Sequence, residues 1–412
     1  MKILVFGGSG KIGAAVAWDL VKENDVETVG LIGRRRDALE KTMSWIASPK
    51  LKSHILDIDD TQALKGVMKE YDVGVIALPD RRTSYHVAQA AIEAGLNIVD
   101  MLEEFHRTPD PYEIEGLRVP AGMTVAEYGE WLHQKAVEQG VTFFDGAGFA
   151  PGLSNITVGE AIRKLDETEI AIARVGGIPS KASAARHPLR YMITWAFDHV
   201  LREYMIRVKV IKNGKIVEID AATDLESFKF NEFGKDEELE CAITPGMPSF
   251  IFTRPNLKEF AEKTVRWPGH WQGVKALKEC GMLDLEPVEF GGVKISPREF
   301  LLAMIEPRLR PLEGDTDVCI MMNTVIGTKN GKRTQISYYL WDEADTKNGI
   351  SSMARVTGFA SAIVALFIGR GMITGKGIVA PEDGISGELY NLFMDELEKR
   401  DIRISERIEV IG

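Results

Sequence analysis

MKILVFGGSGKIG, residues 1–13, decides how the rest of the chain is read. Ile3 to Phe6 is an apolar run that breaks abruptly into glycines, the pattern of a short parallel strand buried on both faces. Gly8, Gly10 and Gly13 then fit G-x-G-x-x-G, and Ile12 to Leu20 carries helical apolar spacing. Strand, glycine turn and helix follow in the order of a dinucleotide-binding unit. In that reading Gly8 permits the tight turn, Gly10 lets backbone approach a pyrophosphate, and Gly13 lets helix and strand pack closely. The N-H groups that open the helix form an anion site, so Gly8, Ser9, Gly10, Lys11, Ile12 and Gly13 are the first cofactor-binding candidates.

Outward from this stretch the same alternation repeats. Glu27 to Ile32 reads as a second strand, and a carboxylate just beyond it would hold the ribose 2'-hydroxyl of NAD. The sequence instead has Gly33-Arg34-Arg35-Arg36. Arg34 and Arg35 suit a 2'-phosphate or adenine stacking and favour NADP over NAD; the alternative is a solvated basic helix start. Ser53 to Leu56 is a third strand, with Asp57 and Ile58 placed to flank the adenine. Val73 to Ala77 is a fourth, which puts Ala77, Leu78 and Pro79 near the ribose or nicotinamide, because ligands collect at the carboxyl ends of such strands. Asn97 to Val99 is a fifth strand, and Asp100 beyond it is either a group at the functional rim or a cap for the next helix. His106 to Gly122 is rich in proline, glycine and charge and reads as a surface loop or lid. Thr124 to Glu127 has the capping-box pattern for a helix to about Gln139. Val141 to Phe144 is a sixth strand. It is followed by Asp145 and GAGFAPGLSN, where Phe149 and Pro151 either pack on the nicotinamide side or form a hinge.

From Ile170 to Asp342 the pattern changes to that of an antiparallel sheet. Hairpins turn at Asn213-Gly214 and Asn330-Gly331, and helical segments are expected near Trp195–Tyr204, Leu257–Lys263, Gln272–Cys280 and Pro297–Met304. Ser351 to Arg370 and Gly387 to Arg400 are helices again. The fold class is therefore α/β: an N-terminal Rossmann doubly wound parallel sheet completed by C-terminal helices, with an inserted α+β, mostly antiparallel-sheet domain. The expected divisions are 1–150, 151–345 and 346–412.

The totals restrict the function. A chain of 412 residues with a formal charge of -11 is expected to have two domains and is a poor partner for nucleic acid or an anionic membrane. Three scattered cysteines, Cys241, Cys280 and Cys319, show no metal-ligand or redox spacing, so no metal is expected and a cytoplasmic location follows most simply. The N-terminus reads as a strand rather than a leader, and Val356 to Ile368 is a buried helix too short to span a bilayer.

Motifs spread over nearly the whole length carry a family resemblance. They include GGSGKIG (Gly7 to Gly13), DGAGFAPGLSN (Asp145 to Asn155), TWAFDHVLREY (Thr194 to Tyr204), RWPGH (Arg266 to His270) and SSMARVTGFASAI (Ser351 to Ile363). Together they resemble the saccharopine dehydrogenase superfamily, most closely its lysine 6-dehydrogenase branch. The resemblance implies a Rossmann domain split by a substrate-binding and dimerisation domain, with hydride chemistry at an amine carbon of a lysine-like amino acid. The most concrete expectation is oxidative deamination of L-lysine at its 6-amine, giving the semialdehyde and ammonia, by a homodimer or dimer of dimers. A secondary-amine substrate such as saccharopine is the nearest alternative, and a non-catalytic NADP sensor a further one. GGSGKIG also fits the extended short-chain dehydrogenases, but no tyrosine here begins their Tyr-x-x-x-Lys pair. Amine oxidation needs a base. His270 is the first candidate, Asp100 the second and Tyr204 the third. A guanidinium suits the substrate carboxylate. Arg266 leads, Arg190 follows, and Trp195 either walls an apolar pocket or belongs to the core.

Overall fold

A computed structural model describes residues 1–412, and the chain divides into two compact units. The first holds residues 1–163, 247–254 and 354–402, and the second holds 164–246, 255–353 and 403–412.

In the first unit the strands are β1 (Lys2–Phe6), β2 (Thr28–Gly33), β3 (Leu51–Ile55), β4 (Val73–Ile76), β5 (Asn97–Asp100) and β6 (Thr142–Asp145), apolar runs except for the edge strand β3. All pair in parallel in the order β3-β2-β1-β4-β5-β6, and a seventh strand, Gly377–Val379, adds to the outer side of β6. Ile3 to Phe6 are fully buried because β1 is central and helices cover both faces. The connecting helices are α1 (Lys11–Leu20), α2 (Arg36–Ile46), α3 (Thr61–Met68), α4 (Arg81–Ala94), α5 (Val125–Glu138) and α6 (Leu153–Arg163). The capping box at Thr124 and Glu127 forms as read. The seventh strand was not expected. Three residues are too few to show a period, and parallel pairing to Thr142–Phe144 defines them.

Helix Ser352–Gly369 is long and apolar enough to cross a membrane, yet 89% of it is buried within the protein. It returns to the first sheet. A Cβ at Gly358 would lie 3.3 Å from the Ile12 carbonyl and 3.4 Å from Ala15, so glycine allows the helix to cross α1 closely, and Trp18 stacks on Phe359 at 5.7 Å. The short segment 247–254 joins this unit through a buried carboxylate. Glu382 accepts hydrogen bonds from Asn155, Ser249 and Thr253, three donors that offset the cost of its burial.

The second unit is built on a nine-stranded mixed sheet. Its strands are β7 (Glu167–Pro179), β8 (Arg207–Lys212), β9 (Lys215–Asp220), β10 (Glu226–Phe230), β11 (Glu237–Ile243) and β12 (Glu259–Arg266), then, beyond a separate two-stranded hairpin of β13 (Val288–Phe290) and β14 (Val293–Ile295), β15 (Asp317–Lys329), β16 (Lys332–Glu343) and a last strand, Ile404–Val410. The main path runs β10-β11-β12-β7-β15-β16 and ends on the last strand, with β8 and β9 attached beside β12. Asn213-Gly214 and Asn330-Gly331 turn the two hairpins, all four residues having positive φ, as type I' turns require.

Three expectations change. Leu257–Lys263 is not a helix: β12 covers it from Glu259 onward and is buried on both faces between β7 and β11, so tertiary pairing overrides local composition. The β7–β12 pair is parallel, which makes the sheet mixed. The last strand pairs with β16 rather than following its preceding helices into the first unit. The divisions accordingly fall at 163 and 353 rather than 150 and 345, since α6 belongs with the parallel sheet.

Candidate functional site

At the carboxyl ends of the first four strands lies a groove of about 410 Å3. It is lined by Gly7, Ser9, Ile32, Gly33, Arg34, Arg35, Leu56, Asp57, Ile58, Asp59, Leu78, Pro79, Asp80 and Thr83. This is the topological switch point, where β1 has β2 on one side and β4 on the other. Gly7, not Gly8, takes the left-handed conformation (φ 76°), and a Cβ there would sit 2.4 Å from the Ala77 carbonyl. Gly8 is needed for space instead, since a Cβ would meet Leu31 at 2.9 Å. A Cβ on Gly13 would lie 2.4 Å from the Gly7 carbonyl, so the helix packs on the turn at backbone contact. Gly10 is the N-cap of α1 and no side chain caps it, which leaves the N-H groups of its first turn to an anion.

Of the expected cofactor residues, Ser9, Arg34, Arg35, Asp57, Ile58, Leu78 and Pro79 line the groove. Gly8, Gly10, Lys11, Ile12 and Gly13 form the turn and helix start beside it. Ala77, Phe149 and Pro151 do not line it. Ala77 follows β4, and Phe149 and Pro151 are buried in the connection from β6 to α6, where the Gly148 N-H donates to the Pro151 carbonyl at 2.8 Å. Arg34 and Arg35 are exposed at the end of β2, where the usual carboxylate is missing, while Arg36 beyond them pairs with Glu40 at 4.0 Å. A glycine cradle, an uncapped helix start and two guanidinium groups fit the pyrophosphate and 2'-phosphate of NADP.

The ends of β5 and β6 hold a buried polar network of which the sequence had singled out only Asp100. His106, 0% exposed, has Nδ1 at 2.8 Å from Asp145 Oδ1, and its backbone N-H donates to Asp145 Oδ2 at 2.7 Å. Its Nε2 lies 2.9 Å from the Ser84 hydroxyl, which donates in turn to Asp100. Asp100 therefore has both carboxylate oxygens engaged, the other accepting from the Leu102 N-H at 2.5 Å. Burial raises its pKa, opposed by the charge of His106. Nearby, Arg81 forms a bidentate pair with Glu104 at 2.7 and 2.9 Å and reaches the carbonyls of Asp110 and Tyr112. The stretch expected as a surface loop thus has a buried root, because its charges find partners under α4 and at the strand ends. The available signal was two apolar strands each ending in aspartate.

In the second unit RWPGH ends β12 and opens the helix His270–Glu279. It brings Arg266, Tyr204 and His270 together. Arg266 donates to the Tyr204 hydroxyl from Nε and Nη2 at 3.2 and 3.1 Å, and Tyr204 Oη lies 3.1 Å from His270 Nε2. His270 Nδ1 is 3.0 Å from the Leu189 carbonyl, which makes Nδ1 the protonated nitrogen and Nε2 the acceptor. Burial and then the Arg266 charge push the His270 pKa down to about 3. The three side chains are enclosed, and the cavity beside Tyr204 and His270 is about 10 Å3, room for a water at most. Tyr191 and Trp271 flank the Arg266 guanidinium at 5.4 and 6.0 Å from their ring centres. Arg190, in a left-handed turn (φ 48°), is exposed, and Trp195 is half-buried with its ring 5.3 Å from that of His199. Sequence had joined Arg266 and His270 through one motif, but Tyr191 and Trp271 carried no sign of their part.

Residues 3–167 match the saccharopine dehydrogenase NADP binding domain and residues 148–402 the saccharopine dehydrogenase C-terminal domain. The saccharopine dehydrogenase [NADP(+), L-glutamate-forming] of Schizosaccharomyces pombe is 23% identical over 436 residues, covering 87% of this chain and 89% of that protein. The carboxyaminopropylagmatine dehydrogenase of Synechocystis is 21% identical, covering 93% and 92%. Among solved structures, the apo saccharopine dehydrogenase (L-Glu forming) of Saccharomyces cerevisiae superposes with a TM-score of 0.76 at 21% identity, covering 99% of this chain and 100% of that one. The fold is the same. The chain belongs to the saccharopine dehydrogenase family, as an NADP-binding oxidoreductase that acts on amino-acid CH-N bonds.

Proposed function

We propose that the substrate is a secondary amine derived from an amino acid, oxidised by NADP to an imine that water then splits into a carbonyl compound and an amine, or made by the reverse reaction. The observation that carries the cofactor half is the pair Arg34 and Arg35 lining the groove where NAD-binding folds place a carboxylate. The substrate half is supported by the relatives, whose names specify saccharopine, with L-glutamate formed, and carboxyaminopropylagmatine. Deamination of L-lysine at its 6-amine is the second reading, favoured by the AGFAPGLSN, RWPGH and SSMARVTGF motifs.

Bound NADP supplies the hydride acceptor. The glycine turn and the start of α1 would hold its pyrophosphate, and Arg34 and Arg35 would hold its 2'-phosphate. In the second unit Arg190 is the better partner for a substrate carboxylate, because it is exposed whereas Arg266 is engaged by Tyr204 and enclosed by aromatic rings. Arg266 then acts as a positioning residue. Its two donors favour negative charge on Tyr204 Oη, and His270 Nε2, held neutral, accepts the phenol's hydrogen bond and fixes the direction in which its O-H points. Asp100, with both oxygens engaged, holds the crossover between β5 and β6.

The test is absorbance at the reduced-nicotinamide band with NAD or NADP against saccharopine, related secondary amines and L-lysine. The expected result is a signal with a secondary amine and NADP, and a loss of NADP preference of about 10- to 100-fold in Arg34→Ser/Arg35→Ser, the worth of one charge-assisted contact. Turnover with lysine and release of ammonia instead would establish the second reading, and an unchanged preference in the double variant would remove the 2'-phosphate assignment.

A further inference from the structure

The groove that fits NADP is lined by two guanidinium groups, Arg34 and Arg35, and three carboxylates, Asp57, Asp59 and Asp80, a formal net charge of -1. Such a lining is a poor match for a ligand that carries a pyrophosphate and a 2'-phosphate. The difference is made up from behind it. Arg118 donates from Nη2 to Asp59 Oδ1 at 2.6 Å, and Arg82 Nε lies 3.7 Å from Asp80 Oδ1.

Arg118 belongs to residues 101–124, the connection from β5 to α5, and that segment runs along the start of α4 towards the end of β3. Arg81 holds its root at Glu104 and at the carbonyls of Asp110 and Tyr112. Farther on, Gly116 has φ at 80°, and a Cβ there would lie 3.0 Å from Arg82 Cδ, so glycine suits both the turn and the contact. Leu117 and Val119, on either side of Arg118, pack against the same core cluster as Leu56 and Ile58 of the groove. The backbone that carries Arg118 is thus held in place. Arg118 also reaches Ile58 through His86: its Nη1 lies 3.4 Å from His86 Nδ1, which must accept, so Nε2 carries the proton and donates to the Ile58 carbonyl at 2.9 Å.

We infer that Arg118 is a positioning residue for the cofactor, a third guanidinium that sets the charge and the shape of the groove wall at residues 57–59. The inference rests on the 2'-phosphate reading of Arg34 and Arg35 and extends it. The Arg118 and Asp59 side chains are 56% and 64% exposed, and an ion pair so open to water adds little to stability. Its effect falls on the ligand instead. With Arg118 in place, Asp59 faces an arriving phosphate as half of a neutral pair; without it the wall shows a bare carboxylate. That repulsion acts across the groove and is screened by salt. Because the 2'-phosphate adds charge at the adenosine end, NADP loses more than NAD.

The test is isothermal titration calorimetry of the full chain with adenosine 2',5'-bisphosphate, the phosphorylated adenosine half of NADP, and with 5'-AMP. Each is titrated at low salt and in ~1 M salt, between which the Debye length falls from about 30 Å to about 3 Å. At low salt Arg118→Gln is expected to bind the bisphosphate about five- to tenfold more weakly than the wild type and to lose less for 5'-AMP, a gap that closes in ~1 M salt. Arg118→Lys keeps the charge and most of the affinity. Asp59→Asn restores binding in the Arg118→Gln background, since no carboxylate is left to neutralise. Arg107→Gln removes a guanidinium that pairs with Glu130 at the root of the same segment, and as the control it leaves the affinity unchanged. A wild type that binds the bisphosphate no better than 5'-AMP would overturn the 2'-phosphate reading and this inference with it. With that preference intact, wild-type affinity in Arg118→Gln, a gap that persists in ~1 M salt, no recovery in the double variant, or an equal loss in Arg107→Gln would overturn this inference alone.

Discussion

His106 in the first unit and His270 in the second are 0% and 2% exposed, and each has both ring nitrogens engaged, yet they are held in opposite charge states. Burial disfavours the imidazolium at both. At His106 the carboxylate of Asp145, followed by those of Asp100 and Glu104, outweighs burial and carries the pKa up to about 9. At His270 the nearest charge is the Arg266 guanidinium, which adds to burial and takes the pKa down to about 3. The sign comes from the neighbour, not from the depth. One region therefore keeps a buried cation among carboxylates, where it ties chain together, and the other keeps a neutral imidazole that accepts a hydrogen bond from Tyr204.

The largest expected effect tests the neutral histidine. His270 in the unfolded chain titrates near its ordinary 6.5, so between 6.5 and about 3 the unfolded state binds the extra proton. Its contribution is present above 6.5 and is lost as pH falls, up to about 5 kcal/mol in all at 1.36 kcal/mol per pKa unit. Denaturant unfolding of wild type and His270→Gln between pH 6 and 4 is expected to differ in slope by up to about one proton. Equal slopes would mean that His270 is charged in the folded protein, and the contrast with His106 would vanish.

Next in size is Asp145→Asn at neutral pH. It removes the main counter-charge of a buried imidazolium, a change that costs about 3–5 kcal/mol when the remaining charge has nowhere to go. Unfolding midpoints in urea check it. A loss below about 1 kcal/mol would show that His106 is neutral in the wild type, with Asp145 merely accepting an ordinary hydrogen bond.

The two histidines also mark what was legible in the chain. The parallel sheet was, because the inner strands β1, β2, β4, β5 and β6 are mostly apolar and mostly buried, and the glycine turn marks the first of them; only the edge strand β3, LKSHI, is polar and partly exposed. The groove was legible at Arg34 and Arg35, where a missing acid is as informative as a present one. β12 was not, since EFAEKTVR gains its strand conformation from β7 and β11, which lie far away in sequence. His270 stood out because it closes a motif. His106 did not, because its partners Ser84, Asp100 and Asp145 come from three separate elements, and a loop rich in proline and charge gives no hint that one of its side chains is fully buried.

The alkaline side gives the smaller and more selective test. His106 has a folded pKa of about 9 against about 6.5 unfolded, so between those values the folded state binds more protons and stability falls as pH rises. The contribution is complete below 6.5, and its loss through pH 9 amounts to about 3 kcal/mol. His106→Gln keeps a donor and lacks the titration, so the difference in unfolding free energy between it and the wild type is expected to shrink from pH 7 to pH 10. Since Asp145→Asn has already lost the ion pair, its deficit shrinks over the same range. His270→Gln, which touches a group neutral throughout this window, is expected to run parallel to the wild type. If His270→Gln also converged on the wild type as pH rose, His270 itself would titrate in this window, and the contrast drawn between the two buried histidines would fail.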